Sequence, residues 1–169
     1  MNDTHEYDAL VQELWDAGWL CAEAVAMAGA IMLGSDKPGR NRLGMPLELV
    51  PRMATGFCSG MARCSGTCGA VSGTLLVLGL AFGRCVRHDH APVPNPDRDL
   101  DPCFEPAQEF MDAFRAEFGS INCSELLGLD LGTPEGQAAF TKGNCKESHC
   151  WRYVAFAMNR LDKKLKGNG

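Results

Sequence analysis

The chain has 169 residues, which suits a single domain that can bury one sizeable core. Apolar residues make up 46% and charged residues 22%, and this balance excludes a collagen-like chain or one that is disordered throughout. The net charge of −5 argues against a nucleic-acid-binding protein, because such proteins are usually basic.

The first predicted element is a long amphipathic helix from Tyr7 to Leu33, in which apolar residues recur every three or four positions. Gly34 ends this helix, and a loop rich in Gly, Pro and Asn continues to Gly44. A short helix is predicted near Pro46 to Ala54, because proline is favoured in the first turn of a helix.

A second buried helix is predicted from Cys68 to Phe82, with Thr67 as its N-cap and Gly83 as its stop. The next segment, Val86 to Cys103, contains four prolines and is predicted to be an extended loop. We expect it to be the most mobile internal segment of the chain and the first site of limited proteolysis.

The second half of the chain gives four further predicted helices: Glu105 to Phe118, a short one within Ser120 to Leu127, Pro134 to Thr141, and Lys146 to Leu165. No alternating apolar and polar run predicts a strand. The sequence therefore predicts an all-α fold, a single domain over residues 1–169. We expect a compact bundle of about four main helices with short extra helices and a long Pro/Asp-rich loop.

The composition is unusual in its nine cysteines. Their odd number, a polar and acidic N-terminus unlike a signal peptide, and a chain long enough to fold without staples all argue against a secreted disulfide scaffold. We therefore expect a cytoplasmic protein whose cysteines serve metal, cluster or redox chemistry. The most apolar run, Ala70 to Phe82, is 13 residues long, too short to predict membrane insertion.

Four of the cysteines occupy similar positions in the predicted elements. Cys21, Cys68 and Cys150 lie on the apolar stripes of three different helices, and Cys123 follows a helix stop. In one bundle these four thiols would face a common interior. Four convergent thiolates are the usual ligands of a [2Fe–2S] or [4Fe–4S] cluster, or of a tetrahedral Zn²⁺ ion. The alternative is that each cysteine packs as a small buried hydrophobe.

Cys68 has a further property, because it stands in the first turn of its predicted helix. Unpaired backbone N–H groups and the helix dipole favour a thiolate at such a position. This placement suits either a cluster ligand or a reactive redox thiol.

Four stretches that each contain one of these cysteines follow one another along the chain: Gly18 to Val25, Thr67 to Gly73, Phe118 to Leu127, and Cys150 to Ala155. Their order and motifs resemble the C_GCAxxG_C_C family of redox-active proteins. A similar domain occurs in split-Soret cytochrome c, where it is associated with an iron–sulfur centre. The resemblance therefore implies a cluster held by Cys21, Cys68, Cys123 and Cys150. The chain has no CxxCH motif, so haem attachment is not implied.

Five further cysteines depart from the family pattern and leave the ligand set open. Cys58, Cys64 or Cys145 could replace one of the four. Zinc could bind Cys85 with His88 and His90, or Cys145 with His149 and Cys150. For the two histidine groupings the simpler interpretation is structural, a polar loop in the case of His88 to His90.

We predict a redox-active protein that binds an iron–sulfur cluster and acts in electron transfer or redox sensing, alone or as a component of an oxidoreductase. Three alternatives stay open: a thiol–disulfide oxidoreductase with Cys68 as the attacking thiolate, a protein that binds zinc or another soft metal, and a purely structural helical domain. No P-loop, GxSxG, HExxH or Rossmann motif suggests another chemistry.

The expected partner is a redox protein that the sequence does not identify. A homodimer is favoured over a monomer, because Trp15 and Trp19 form a second apolar stripe on the first predicted helix. Neither nucleic acid nor membrane is expected as a partner.

Overall fold

The computed structural model describes residues 4–34, 46–83 and 101–167, and within these ranges it contains helices and no β-strand. The all-α prediction is confirmed. Most of the predicted loops from Gly34 to Gly44 and from Val86 to Cys103 lies outside the described residues. The α-helices are α1 Thr4–Asp16, α2 Cys21–Met32, α3 Leu49–Ala54, α4 Cys58–Arg63, α5 Gly69–Phe82, α6 Asp101–Phe118, α7 Cys123–Leu127, α8 Pro134–Lys142 and α9 Trp151–Lys166.

The single long helix predicted from Tyr7 to Leu33 is wrong, because the chain folds here as two helices, α1 and α2. Gly18 separates them with a φ of 95°, in the left-handed region that glycine adopts readily. Leu20 is extended, and its N–H donates to the Glu23 carboxylate over 2.9 Å, which caps the new helix. The apolar period continues across the break, so periodicity alone could not reveal it.

Helices α2 and α5 form the centre of the molecule and pack more extensively on each other than any other pair. Small residues at the contact allow this close approach. A Cβ added to Gly73 would lie 2.9 Å from the carbonyl oxygen of Ala22, which is closer than carbon and oxygen can pack. Helix α5 ends before Gly83 as predicted, but its N-cap is Cys68 rather than Thr67.

The main core lies where α1, α6 and α9 cover one side of this central pair. Helix α3 covers another side of α2 with a smaller apolar cluster that includes Val50 and Ala54. Helix α6 begins at Asp101, before the predicted start at Glu105. Five aromatic rings join α6 to α9: Phe110, Phe114, Phe118, Tyr153 and Phe156.

Trp15 belongs to this core, with 1% of its surface exposed. Its indole N–H donates to both carboxylate oxygens of Glu147, over 2.9 and 3.0 Å, and its ring packs on Trp151. Because Trp15 is buried within its own chain, it cannot belong to the surface stripe on which the dimer expectation rests. The homodimer stays a prediction. No helix in the described ranges is long and apolar enough to cross a membrane.

Candidate functional site

Three of the four predicted ligand cysteines stand at the start of a helix: Cys21 and Cys123 are the first residues of α2 and α7, and Cys68 is the N-cap of α5. Cys150 is the last residue of a π-helical turn, Lys146–Cys150, that continues directly into α9, and the N–H of Trp151 is already bonded to the carbonyl of Lys146. Both Cys21 and Cys150 pack against the main core. The first N–H groups of a helix have no partner in the helix, so helix starts favour negative charge on nearby sulfur.

The fold brings these four cysteines together. The pKa of Cys150 is raised by burial and, in addition, by negative charge at Cys21, Cys68 and Cys123. All four thiols are therefore close enough to influence one another electrostatically, although they come from four different segments.

Cys68 and Cys123 are held side by side by the backbone. The N–H of Cys68 donates to the carbonyl of Ile121 over 2.7 Å, and the N–H of Cys123 donates to that of Gly66 over 2.8 Å. Thr67 and Asn122 form an isolated antiparallel bridge between these two bonds. The relative position of the two sulfurs is thus fixed by main-chain bonds and does not depend on side-chain packing alone.

Cys150 is positioned by the contacts that surround it in sequence. It ends a π-helical turn over Lys146–Cys150, and the preceding Lys146 donates to the carbonyl of Trp15 over 2.7 Å. The hydroxyl of Tyr153, one turn into α9, donates to the carbonyl of Leu126 at the end of α7 over 3.1 Å. These bonds attach the start of α9 to both α1 and α7, and so carry Cys150 towards Cys123.

Two glycines leave room beside the sulfurs. A Cβ on Gly69 would overlap the sulfur of Cys21 and lie 3.1 Å from the backbone nitrogen of Ala22. A Cβ on Gly60 would lie 2.6 Å from that of Cys123. Both positions therefore require glycine for close contact with a cysteine.

Cys21 has the most acidic thiol of the group. Its pKa is lowered to about 7, chiefly because the Cys58 thiol donates a hydrogen bond to its sulfur, and the N–H groups of Ser59 and Ala22 add to this effect against burial. The same hydrogen bond, with burial, raises the pKa of Cys58, which therefore keeps its proton. Negative charge at this site lies first on Cys21.

The sequence predicts a stabilised thiolate at Cys68, but in the structure the pKa of this thiol is raised. The N–H groups of Ala70 and Val71 do reach its sulfur, as a helix start should provide. Burial and the negative charge of Cys21 nevertheless outweigh them and raise its pKa. Cys68 is only 6% exposed. In the metal-free chain it is thus a buried, protonated thiol, which does not suit the proposed attacking thiolate.

The sequence predicts Cys58 only as a possible replacement for one of the four ligands, and the structure places it in the small apolar cluster against which Cys21 packs. Cys58 begins α4, in which residues 59–62 have φ values of 54°, 66°, 57° and 56°. These values are left-handed, so we call Cys58–Arg63 the left-handed turn. Non-glycine residues adopt this conformation at a cost of about 1–2 kcal/mol each. The sequence carries no signal for it except Gly60.

The remaining cysteines stand apart from the four in different ways. Cys145 is buried and its charge is felt by Cys150, whereas Cys64 is exposed and Cys103 lies in the first turn of α6. Cys85 and its histidine neighbours lie outside the described residues. In the described ranges, no three His, Cys, Asp or Glu side chains are placed so that they could hold one metal ion.

An apolar cavity of about 450 Å³ lies beside the site, between α3 and α5. Phe57, Met61, Leu75 and Leu76 are among its walls, and Ser72 contributes a hydroxyl. No cysteine lines it. The cavity therefore borders the left-handed turn and is not the place where the sulfurs meet.

A family model described as "putative redox-active protein (C_GCAxxG_C_C)" matches residues 19–164. This range contains all four predicted ligand cysteines and covers most of the chain. No curated protein and no solved structure matches it significantly. The match thus indicates a redox-active family, but it identifies neither a cofactor nor its ligands.

Proposed function

We propose, from the premise that this chain belongs to the C_GCAxxG_C_C family of redox-active proteins, that four of its cysteines bind one iron–sulfur cluster: Cys21, Cys68, Cys123 and Cys150. The protein then acts in electron transfer or redox sensing. The observation that carries the proposal is the meeting of four cysteines from four separate segments of the chain, three of them at helix starts.

The donor set fits such a group chemically. Thiolates are the ligands that iron–sulfur clusters take in proteins. The N–H groups at the helix starts already reach the sulfurs of Cys21 and Cys68, where they would stabilise negative charge. Burial keeps the other thiols protonated in the metal-free chain, so binding must release protons.

A cluster and a single zinc ion set different requirements for the separation of their thiolate ligands. A tetrahedral Zn²⁺ lies about 2.3 Å from each thiolate and so needs sulfurs about 4 Å apart. Within the described residues no three potential ligands meet the requirement for one ion. A cluster has its ligands on separate iron atoms and accepts a wider set of sulfurs.

A bound cluster would supply one-electron chemistry. The chain's own contribution is to hold the four sulfurs, to place three of them at helix starts, and to limit the access of water to two of them. Cys68 and Cys123 are 6% and 7% exposed, whereas Cys21 and Cys150 are half-buried. Burial, dipoles and hydrogen bonds to sulfur are the means by which a protein sets the potential of such a site.

The test is purification without oxygen, followed by an absorption spectrum and a determination of iron and acid-labile sulfide. We expect a coloured protein that contains both elements. Cys68→Ala should remove iron and colour together, whereas the matched variant Cys103→Ala should keep both. The cluster joins four segments, so its loss should also lower the melting temperature.

The proposal fails if the protein handled without oxygen, and after reconstitution with iron and sulfide, is colourless and iron-free. A zinc protein would instead contain one equivalent of zinc that Cys68→Ala releases. The redox partner protein expected from the sequence stays a prediction, and the cluster-bound protein is the form with which to search for it.

A further inference from the structure

The apolar cavity beside the site is lined by α3, α5 and the left-handed turn, and none of the four proposed cluster ligands reaches it. Its volume of about 450 Å³ lies within the range of small-molecule sites, about 300–1,000 Å³. None of the described residues that line it is charged. The cavity therefore suits a small, neutral molecule with a largely apolar surface.

Helix α5 exposes apolar surface in this cavity that a bound molecule would cover. The helix contains no charged residue and only two polar ones, Ser72 and Thr74. A helix that is apolar on all sides is normally buried on all sides. Three of its leucines that line the cavity are nevertheless only half-buried: Leu75, Leu76 and Leu80. Covering this surface contributes about 25 cal/mol for each Å².

Two methionines stand at the mouth of the cavity. Met53 and Met61 line it and are 49% and 42% exposed. Methionine is flexible, and its sulfur makes favourable contacts with aromatic rings. Phe57 adds a ring to the cavity wall. The lining thus favours an aromatic ligand over a saturated one.

One buried hydroxyl gives the cavity a polar contact. Ser72 lines the cavity and is only 7% exposed. Its hydroxyl lies 3.3 Å from the carbonyl oxygen of Phe57 and 3.4 Å from those of Cys68 and Gly69. A hydrogen bond between a hydroxyl and an oxygen is normally about 2.7–2.8 Å long. The Ser72 hydroxyl is therefore available to donate to a carbonyl oxygen of a ligand at a better distance.

This polar end of the cavity lies next to the cysteine site. Ser72 comes one helical turn after Cys68, and Thr67, which directly precedes Cys68, also lines the cavity. A molecule bound here lies beside a proposed cluster ligand.

We propose that the cavity binds a quinone, with its ring between α3 and α5 and one carbonyl oxygen accepting a hydrogen bond from the Ser72 hydroxyl. A quinone is neutral, has a flat apolar ring and carries carbonyl oxygens, and so it matches the three properties of the lining. Its choice among cyclic carbonyl compounds rests on the proposed function, because a quinone exchanges electrons and the neighbouring site is a redox centre. Binding itself needs only the cavity and does not depend on iron.

Equilibrium dialysis of the full-length chain against duroquinone tests the proposal. The ring of duroquinone is fully methylated, so it has no open position to which a cysteine could add. The total of quinone and hydroquinone is measured in both compartments, with the chain purified without oxygen and again after removal of any iron. We expect saturable binding of one equivalent in both preparations.

Two variants locate the ligand. Gly79 lines the cavity, and a Cβ there would meet no atom within 4 Å, so Gly79→Leu adds a side chain to the cavity without a clash. This variant should bind duroquinone about tenfold more weakly, because its side chain occupies space that the ring needs. Ser72→Ala should weaken binding about fivefold, the loss expected for one hydrogen bond. The matched variant Ser148→Ala, whose hydroxyl donates to the carbonyl of Asn144, should bind like the parent chain.

Durene separates the polar contact from apolar burial, because it has the ring and methyl groups of duroquinone but no carbonyl oxygen. The parent chain should bind durene more weakly than duroquinone, and Ser72→Ala should lose this preference. The melting temperature of each variant checks that it is folded.

Four results would overturn the proposal: no saturable binding to the parent chain, equal binding by the parent and Gly79→Leu, equal affinity of the parent for durene and duroquinone, or a dimer that Gly79→Leu dissociates. The last would identify the cavity as an interface between two copies of the chain. None of these results concerns the cluster, which is tested separately by the content of iron and sulfide. A chain that cannot be loaded with iron but binds duroquinone would contradict the proposed function and leave the quinone site standing.

Discussion

The α2–α5 contact and the left-handed turn bring cysteines to the same site by opposite means. At the α2–α5 contact, regular helices approach closely because Gly69 and Gly73 have no side chain. In the left-handed turn the backbone itself is unusual, since Ser59, Met61 and Ala62 have positive φ values. The α2–α5 contact avoids steric strain because glycine occupies its crowded positions, whereas the left-handed turn keeps a strained backbone.

Strain of this kind persists only where surrounding contacts determine the conformation. The left-handed turn and the residues after it are anchored to the α7–α8 region by side-chain and backbone bonds. Arg63 donates to Gln137 over 3.1 Å, the Ser65 hydroxyl donates to Asp130 over 2.7 Å, and Ser124 donates to the Ser65 carbonyl over 3.2 Å. The comparison shows that a cysteine can be positioned by hydrogen bonds to residues distant in sequence as well as by its place at the start of a helix.

The largest effect should come from a side chain placed in the α2–α5 contact. In Gly69→Ala the new Cβ would overlap the Cys21 sulfur and press on the Ala22 backbone, so the two helices must separate. We expect the free energy of unfolding to fall by about 3 kcal/mol. Gly79→Ala, in the same helix but with nothing within 4 Å of its Cβ, should be neutral or stabilising by up to about 1 kcal/mol. Denaturant titration of both variants measures this, and equal losses would contradict the close packing.

The helices of the second half, and α5, could be predicted because their apolar stripes end at recognisable residues. Gly83 and Gly119 each follow a helix, and Thr133 with Pro134 begins one. The break at Gly18 was missed, because a glycine within a continuous apolar period resembles one tolerated inside a helix. The placement of Cys21 at a helix start was missed for the same reason.

The four cysteines of the candidate site could be proposed from the sequence, because each belongs to a predicted element or to the family pattern. The contact of Cys58 with Cys21 could not, because left-handed serine, methionine and alanine have no local sequence signature. The residues that follow them, Arg63 and Ser65, are held by Gln137 and Asp130, which are distant in sequence.

The second prediction concerns the buried sulfurs of the iron-free chain at high pH. Burial raises the pKa of Cys123 to about 12, and the charge of Cys21 adds to the effect, while an unfolded cysteine has a pKa of about 9. Above pH 9 the unfolded chain loses this proton and the folded chain keeps it. The full free energy of unfolding is therefore present below pH 9, and part of it is lost as the pH rises from 9 towards 12. At pH 10 the ionisation of Cys123 in the unfolded chain should make the free energy of unfolding about 1 kcal/mol lower than it is below pH 9.

Thermal unfolding of the iron-free chain at pH 8 and at pH 10 measures this loss. Cys123→Ala should show a smaller decrease between the two values, because one of the buried thiols is gone. Cys64→Ala, which changes an exposed thiol of the same neighbourhood, is the matched control. A decrease that is equal in all three chains would contradict the role of burial.

The third prediction tests the left-handed turn by the sign of a stability change. Ala62 is exposed and has a φ of 56°, so glycine should relieve strain there. We expect Ala62→Gly to raise the free energy of unfolding by about 0.5–1 kcal/mol. Ala139→Gly, at an exposed position inside the right-handed helix α8, should lower it by about 1 kcal/mol. If both substitutions destabilise, the backbone of the turn is right-handed.

The smallest effect concerns the anchor between Ser65 and Asp130. The Ser65 hydroxyl, followed by the N–H of Gly132, holds the pKa of the Asp130 carboxyl below its usual value of 3.8. The hydrogen bond between Ser65 and Asp130 therefore stabilises the folded chain above pH 3.8, and this stabilisation is lost as the pH falls through the lowered pKa. A carbon-detected NMR titration should find the Asp130 pKa below 3.8 in the parent chain and closer to 3.8 in Ser65→Ala. Ser148→Ala should leave it unchanged, because Ser148 lies in the π-helical turn and its hydroxyl donates to the carbonyl of Asn144. An Asp130 pKa that is identical in all three chains would mean that Ser65 does not anchor the turn, and its left-handed backbone would then depend on Arg63 and Ser124 alone.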